Sequence, residues 1–164
     1  MSSFSKIAAD FERVAEQMVP RILTQVARDP NSSVYGACDR DWWHYKIRDF
    51  PSIILQQAGY TLWLARDLPA FQRWHRPLTE LAAATCLFWN QRATRPRAFE
   101  EYYPWEEGYP PLAFSTLAVM KLAAAGVIAP ERIETGARVA AAQLSRRFEP
   151  HAANQQVAGL AALA

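Results

Sequence analysis

Ile7, Phe11, Val14, Ala15, Met18, Ile22, Leu23 and Val26 recur at steps of three and four residues. That spacing predicts one apolar stripe on an amphipathic helix, with Asp10, Glu12, Arg13, Glu16 and Gln17 facing outward. Pro20 is expected to kink or split it. A loop from about Asp29 to Phe50 follows, with Asn31, Ser32, Ser33 and Gly36 as turn formers. Pro51 suits the first turn of a second helix, SIILQQAGYTLWLA, which is apolar nearly all round. Pro69 and Pro77 bracket the next connection. A third helix from about Pro77 to Arg92 carries a stripe of Leu78, Leu81, Ala82, Thr85, Phe88 and Trp89. The long segment RATRPRAFEEYYPWEEGYPP leads to a fourth helix, Leu112 to Ala125, again apolar on most faces, with Gly126 as its stop. Pro130 opens a fifth, striped by Ile133, Ala137, Ala140, Ala141 and Leu144. Asn154 is placed to cap a sixth, apolar wherever it is visible.

The order of these helices predicts the architecture. Helices one, three and five are amphipathic; two, four and six are apolar nearly all round. Alternation along the chain places the first set outside and the second inside a double layer. The predicted fold is all-α: stacked αα-hairpins, forming a partial α/α-toroid of about six helices. No convincing strand is present, which argues against a parallel sheet and its cofactor crevices.

Composition agrees with this reading. The 164 residues suit a single domain spanning 1–164. There are 29 Ala and 14 Leu against 8 Val and 7 Ile, a balance that favours helix. The net charge of +2 is too small to suggest nucleic acid as a partner, and the scattered arginines read as a solvated edge. No apolar run reaches the roughly 18–20 residues of a membrane span, and the acidic N-terminal stretch does not read as a secretion signal. Two cysteines, Cys38 and Cys86, make no disulfide framework. The expected setting is reducing and cytoplasmic. Cys86 reads as core and Cys38, in a polar loop, as the more reactive thiol.

Polar chemistry collects in three segments, each just before an inner helix: YGACDRDWWHYKIRD, EEYYPWEEGY and HAANQQ. In a toroid such loops share one rim. Aromatic faces stack on pyranose rings, while planar polar groups bind hydroxyls or a uronate carboxylate. Tyr35, Asp39, Arg40, Trp42, Trp43, Trp105, Glu106, Glu107, Tyr109, Asn154 and Gln155 are therefore candidate substrate-binding residues. Glu106 and Glu107 with Asp39 or Asp41 have the residue types of a glycosidase acid/base pair, and equally those of local partners for Arg95 and Arg97. β-Elimination on a uronate needs a base near the sugar C5 proton and a neutraliser at the carboxylate. His44 or Tyr45 has the type for the first role; Arg48, Asn154 or Gln155 for the second. The candidate catalytic residues are thus His44, Tyr45 and Arg48. Cys38, Asp39 and His44 lack the paired spacing of a metal site, and no phosphate loop or nucleophile elbow is present, so neither metal nor cofactor is expected.

The passages YGACDRDWWHYKIRDFPSIILQQAGYTL, EEGYPPLAFSTLAVMKLAA and ANQQVAGLAAL resemble N-terminal parts of α/α-toroid proteins related to heparinase II/III-type polysaccharide lyases. The resemblance runs from about Tyr35 onward and rests on loop-plus-helix texture. It implies a toroid of helical hairpins and a carbohydrate ligand, an acidic polysaccharide or oligosaccharide. Lyases of that class use Asn or Gln, His, Tyr and Arg, residue types held here by His44, Tyr45, Arg48, Asn154 and Gln155. A full toroid has about twice this helix count, and such lyases usually add a β-sandwich. The chain is therefore expected to correspond to the N-terminal half of a larger toroid. The rival expectation is a non-catalytic helical scaffold binding a protein partner, within a polysaccharide-assembly system. A third is a peptide or lipid binder with an apolar groove. The closing segment VAGLAALA is apolar to its end, which predicts self-association through that helix.

Overall fold

The computed structural model describes residues 3–38, 53–101 and 107–164. Among them lie six α-helices: α1 (Ser3–Gln25), α2 (Ala58–Ala65), α3 (His75–Ala93), α4 (Tyr109–Ala124), α5 (Glu134–Leu144) and α6 (Ala153–Leu163). Three short 3-10 segments, Ile53–Gln57, Pro69–Trp74 and Pro130–Arg132, lead into α2, α3 and α5. The described residues hold no strand, only two isolated β-bridges. The fold is all-α.

The helices stack as hairpins in two layers. Gly59 of α2 lies against Thr85 of α3, and Arg66 beyond the end of α2 bonds His75 at the start of α3. The two helices are thus antiparallel. Tyr109 at the start of α4 meets Gly159 in α6. Further along, Thr116 and Met120 share a small recess with Ala162 and Leu163. So α4 and α6 run the same way, side by side, while α5 returns between them. Helix α4 also packs on α2 and on Ile53–Gln57, and α3 packs on α5. One layer is therefore α2–α4–α6, the other α3–α5, with α1 leaning on α2. The grouping follows the predicted alternation along the chain, but the expected inside and outside do not hold throughout. Helix α3, read as an outer helix, buries Leu78, Leu81, Phe88 and Trp89 among others, while α6, read as an inner helix, buries only Ala158 and Gly159.

Helix ends show where the sequence reading needs correction. Pro20 does not split α1, which runs unbroken through it. Pro20 is exposed, so water can serve the carbonyl that lacks a donor. Helix α4 starts at Tyr109, three residues earlier than expected, because Pro110 and Pro111 fill first-turn positions whose N–H groups have no helical partner anyway. Asn154 caps nothing: the cap position of α6 is Ala152, with no side-chain bond. Gly126 is the predicted stop. Its φ is 72°, and Val127 N–H donates to Leu122 O at 3.0 Å while Gly126 N–H donates to Ala123 O at 2.9 Å. That pair of bonds is a Schellman motif. Pro51 lies outside the described residues.

The main core joins Trp89, Phe99, Tyr109, Leu112, Leu122 and Ile133 across α3, α4 and α5. Each such large side chain contributes about 1.5–3 kcal/mol by leaving water. Trp89 Nε1 donates to Ser115 Oγ at 2.8 Å, and Ser115 donates on to Pro111 O, so the buried indole is satisfied. A second cluster joins Val19, Val26, Cys38, Leu62, Leu78 and Leu81 under the loop after α1. Beyond this second cluster the stripe of α1 is exposed. Phe11 is 73% exposed, and Ile7, Val14 and Met18 are exposed beside it. At the far end of the stack, Val157, Leu160 and Leu163 of α6 are exposed as well.

Candidate functional site

The loop after α1 helps to wall a concavity on the stack. It is pinched by a Val26–Cys38 bridge, with Ala27 N–H to Ala37 O at 2.8 Å and Gly36 N–H to Ala27 O at 2.9 Å. Asp29 Oδ1 accepts from Asn31 N–H at 2.9 Å and holds the turn. Gly36 sits at φ 86°, flat against the backbone of Ala84, where a Cβ would overlap. Gln56, fully buried, anchors the far side. Its Oε1 accepts from Cys38 N–H at 3.3 Å and its Nε2 donates to Cys38 O at 3.1 Å.

This construction hangs Tyr35 over a recess of about 430 Å³ between the end of α1, the Pro69–Trp74 segment and the start of α3. Leu23, Leu78 and Leu81 contribute apolar lining, and Tyr35, Phe71 and Trp74 contribute aromatic surface. Arg28 and Glu80 supply the charge in the lining. Glu80 is occupied by Arg76 at 2.7 Å, and Arg73 lies over the Trp74 ring at 5.2 Å. The size and lining suit an apolar group or a few side chains of a peptide.

Two other polar clusters flank the stack. At the end of α2, Arg66 lies 4.0 Å over the Trp63 ring and donates to Trp63 O at 2.6 Å and to His75 Nε2 at 3.1 Å. Asp67 completes the group at 3.3 Å from Arg66 and 3.4 Å from His75. Every charged member thus has an internal partner, which reads as a lock on the α2–α3 connection. At the end of α3, Arg92 pairs with Glu100 at 3.2 Å. Burial pulls the Arg92 guanidinium below its ordinary value, Glu100 pushes it back up, and Arg95 lowers it further. Arg92 is therefore not part of a solvated basic edge, as the sequence suggested, but a partly buried ion pair beside Phe99.

Of the residues singled out from sequence, His44, Tyr45, Arg48, Asp39, Arg40, Trp42, Trp43, Trp105 and Glu106 lie outside the described residues. Tyr35 lines the recess. Tyr109 is buried, packed on Gly159 of α6 with Arg147 6.0 Å from its ring. Burial pushes its phenol up, with Arg147 opposing. Glu107 is exposed and bridges back to Glu100 through the backbone. Asn154 is exposed and Gln155 half-buried on the first turn of α6. The parallel course of α4 and α6 places Tyr109, Asn154 and Gln155 toward the starts of neighbouring helices. Tyr35 belongs instead with the second core cluster. Sequence reasoning missed Arg28, Phe71 and Trp74. The available signal was FQRWHRP, two aromatics set among arginines between Pro69 and Pro77.

Both thiols are buried, which corrects the reading of Cys38 as the reactive one. Burial pushes the Cys86 thiol from 9.0 up to about 12, a hydrogen bond with Thr85 opposing. Neither thiol of the native protein is expected to react with a disulfide reagent such as dithionitrobenzoate, and both are expected to react in denaturant. Rapid native labelling would contradict the burial. Because the folded thiol holds its proton longer than the unfolded one, stability should fall as pH rises from about 9 toward about 12. Cys86→Ala should flatten that part of the profile. Among the described residues no group of three or more His, Cys, Asp or Glu is placed to hold a metal, and no helix is long and apolar enough to cross a membrane. No known protein family, curated protein or solved structure matches this chain.

Proposed function

We propose that this chain is a non-catalytic helical scaffold that binds a protein partner and a second copy of itself, working in the cytoplasm. The observation that carries the reading is the exposed stripe of Ile7, Phe11, Val14 and Met18 on α1. A core already closed elsewhere has no need of these side chains, and contiguous exposed apolar surface of this kind marks interaction sites. The exposed face of α6 supplies the second contact, to another copy of the chain. A role in polysaccharide assembly is the setting suggested by the resemblance to lyase-related toroids.

The second reading is a carbohydrate-binding or carbohydrate-processing, lyase-like module acting on an acidic polysaccharide. Tyr35 and half-exposed Trp74 in one recess favour it, as ring faces for a sugar. One experiment separates the two. The protein is incubated with a panel of uronate polymers and followed for unsaturated-uronate absorbance and for binding heat. The scaffold reading predicts neither product nor binding. Product from any polymer, lost in His44→Ala or Tyr45→Phe, would overturn it in favour of the lyase.

A further inference from the structure

The recess is rich in donors and poor in acceptors. The Arg28 guanidinium, the Tyr35 hydroxyl and the Trp74 indole N–H make no hydrogen bond or ion pair among the described residues, Trp74 having only the cation–π contact from Arg73. The one carboxylate of the lining, Glu80, is engaged by Arg76. A ligand seated here must bring acceptors and apolar bulk and need few acceptors in return. A proline-rich extended segment has that chemistry. Its carbonyls are all available, its prolines carry no N–H, and its polyproline II shape is ordered before binding, so little entropy is lost on docking. Aromatic-walled grooves recognise such segments in this way. Sugars fit less well, since each hydroxyl brings a donor as well as an acceptor. Charge narrows the choice. Arg28 and Arg73 are cations without a carboxylate partner among the described residues, and Asp29 holds its own turn.

We propose that the recess of Tyr35, Phe71 and Trp74 binds an extended proline-rich segment of a partner protein, with an acidic residue of that segment on Arg28. The inference rests on the scaffold reading and gives the partner's chemistry.

The test is fluorescence anisotropy of the full chain with a labelled, end-blocked peptide of Pro-Pro-Leu repeats carrying glutamates. One control peptide has alanine for every proline; another has lysine for every glutamate. The glutamate–proline peptide should bind at least about 10-fold more tightly than either control. Trp74→Ala should weaken it by about 10-fold or more. Arg28→Glu, at an exposed position where folding is little affected, should reverse the preference between the glutamate and lysine peptides. Absence of binding, equal binding of the alanine peptide, or unchanged affinity in both variants would overturn the inference. If the peptides fail and uronate polymers yield no product, only this inference falls. If the polymers do yield product, the scaffold reading falls with it.

Discussion

Gly59→Ala should destabilise the protein by about 3 kcal/mol, a fall of roughly 6–12 °C in Tm for a chain of this size. Taken alone, alanine is the better helix former by about 0.5–1 kcal/mol. The neighbour decides the sign. A Cβ on Gly59 would overlap the Thr85 hydroxyl, with the Thr85 Cβ close behind. Thr85 is fully buried, and its hydroxyl donates to Ala82 O at 2.7 Å, so it has nowhere to turn. The α2–α3 hairpin would have to open. Thr85→Ala removes the overlapping oxygen, and the double variant should recover part of the loss. Thermal melts of the wild type, both single variants and the double variant give the coupling directly. Additive losses would mean that the two helices do not meet at this pair.

Gln56→Leu should cost about 2–4 kcal/mol. The side chain is completely buried and serves both the N–H and the C=O of Cys38. Leucine fills the space but leaves two buried backbone groups short of these partners, at about 1–3 kcal/mol each. The loss should be local as well as global. The loop carrying Tyr35 is anchored through Cys38, so amide exchange over residues 26–38 should quicken. Cys38→Ala is the control. It keeps the backbone groups and removes only a thiol, and should cost about 1 kcal/mol. Equal damage from the two variants would show that the thiol, not the amide clamp, holds the loop.

How much was legible in the sequence follows from what each feature depends on. The grouping of helices was legible because alternation between amphipathic and nearly all-apolar helices is a property of composition along the chain. Which of them are buried was not, since α6 is largely exposed and α3 largely buried. Gly126 was legible because a helix followed by a left-handed glycine is local chemistry. Close approaches were not. Gly59 against Thr85, Gly36 against Ala84 and Gln56 against Cys38 join residues 18 to 48 positions apart, and nothing in either partner alone announces the other. Arg92 read as surface because its partner Glu100 lies in a loop whose fold brings Phe99 into the core. The stripe on α1 was legible as a stripe, but not its exposure. Periodicity tells which face is apolar, not whether this chain supplies the cover. The recess was missed for a related reason. Its walls come from α1, a turn, a 3-10 segment and α3.

If the apolar surface left open at the ends of the stack serves partners, a second copy of the chain among them, the chain should associate with itself. Sedimentation velocity over a range of concentrations tests this most directly. A concentration-dependent dimer or larger species is expected for the wild type. Leu160→Glu on α6 should shift it to monomer, with Tm little changed because that side chain is 56% exposed. A wild-type chain that stays strictly monomeric at all concentrations, with α6 accessible, would show that this surface does not serve self-association.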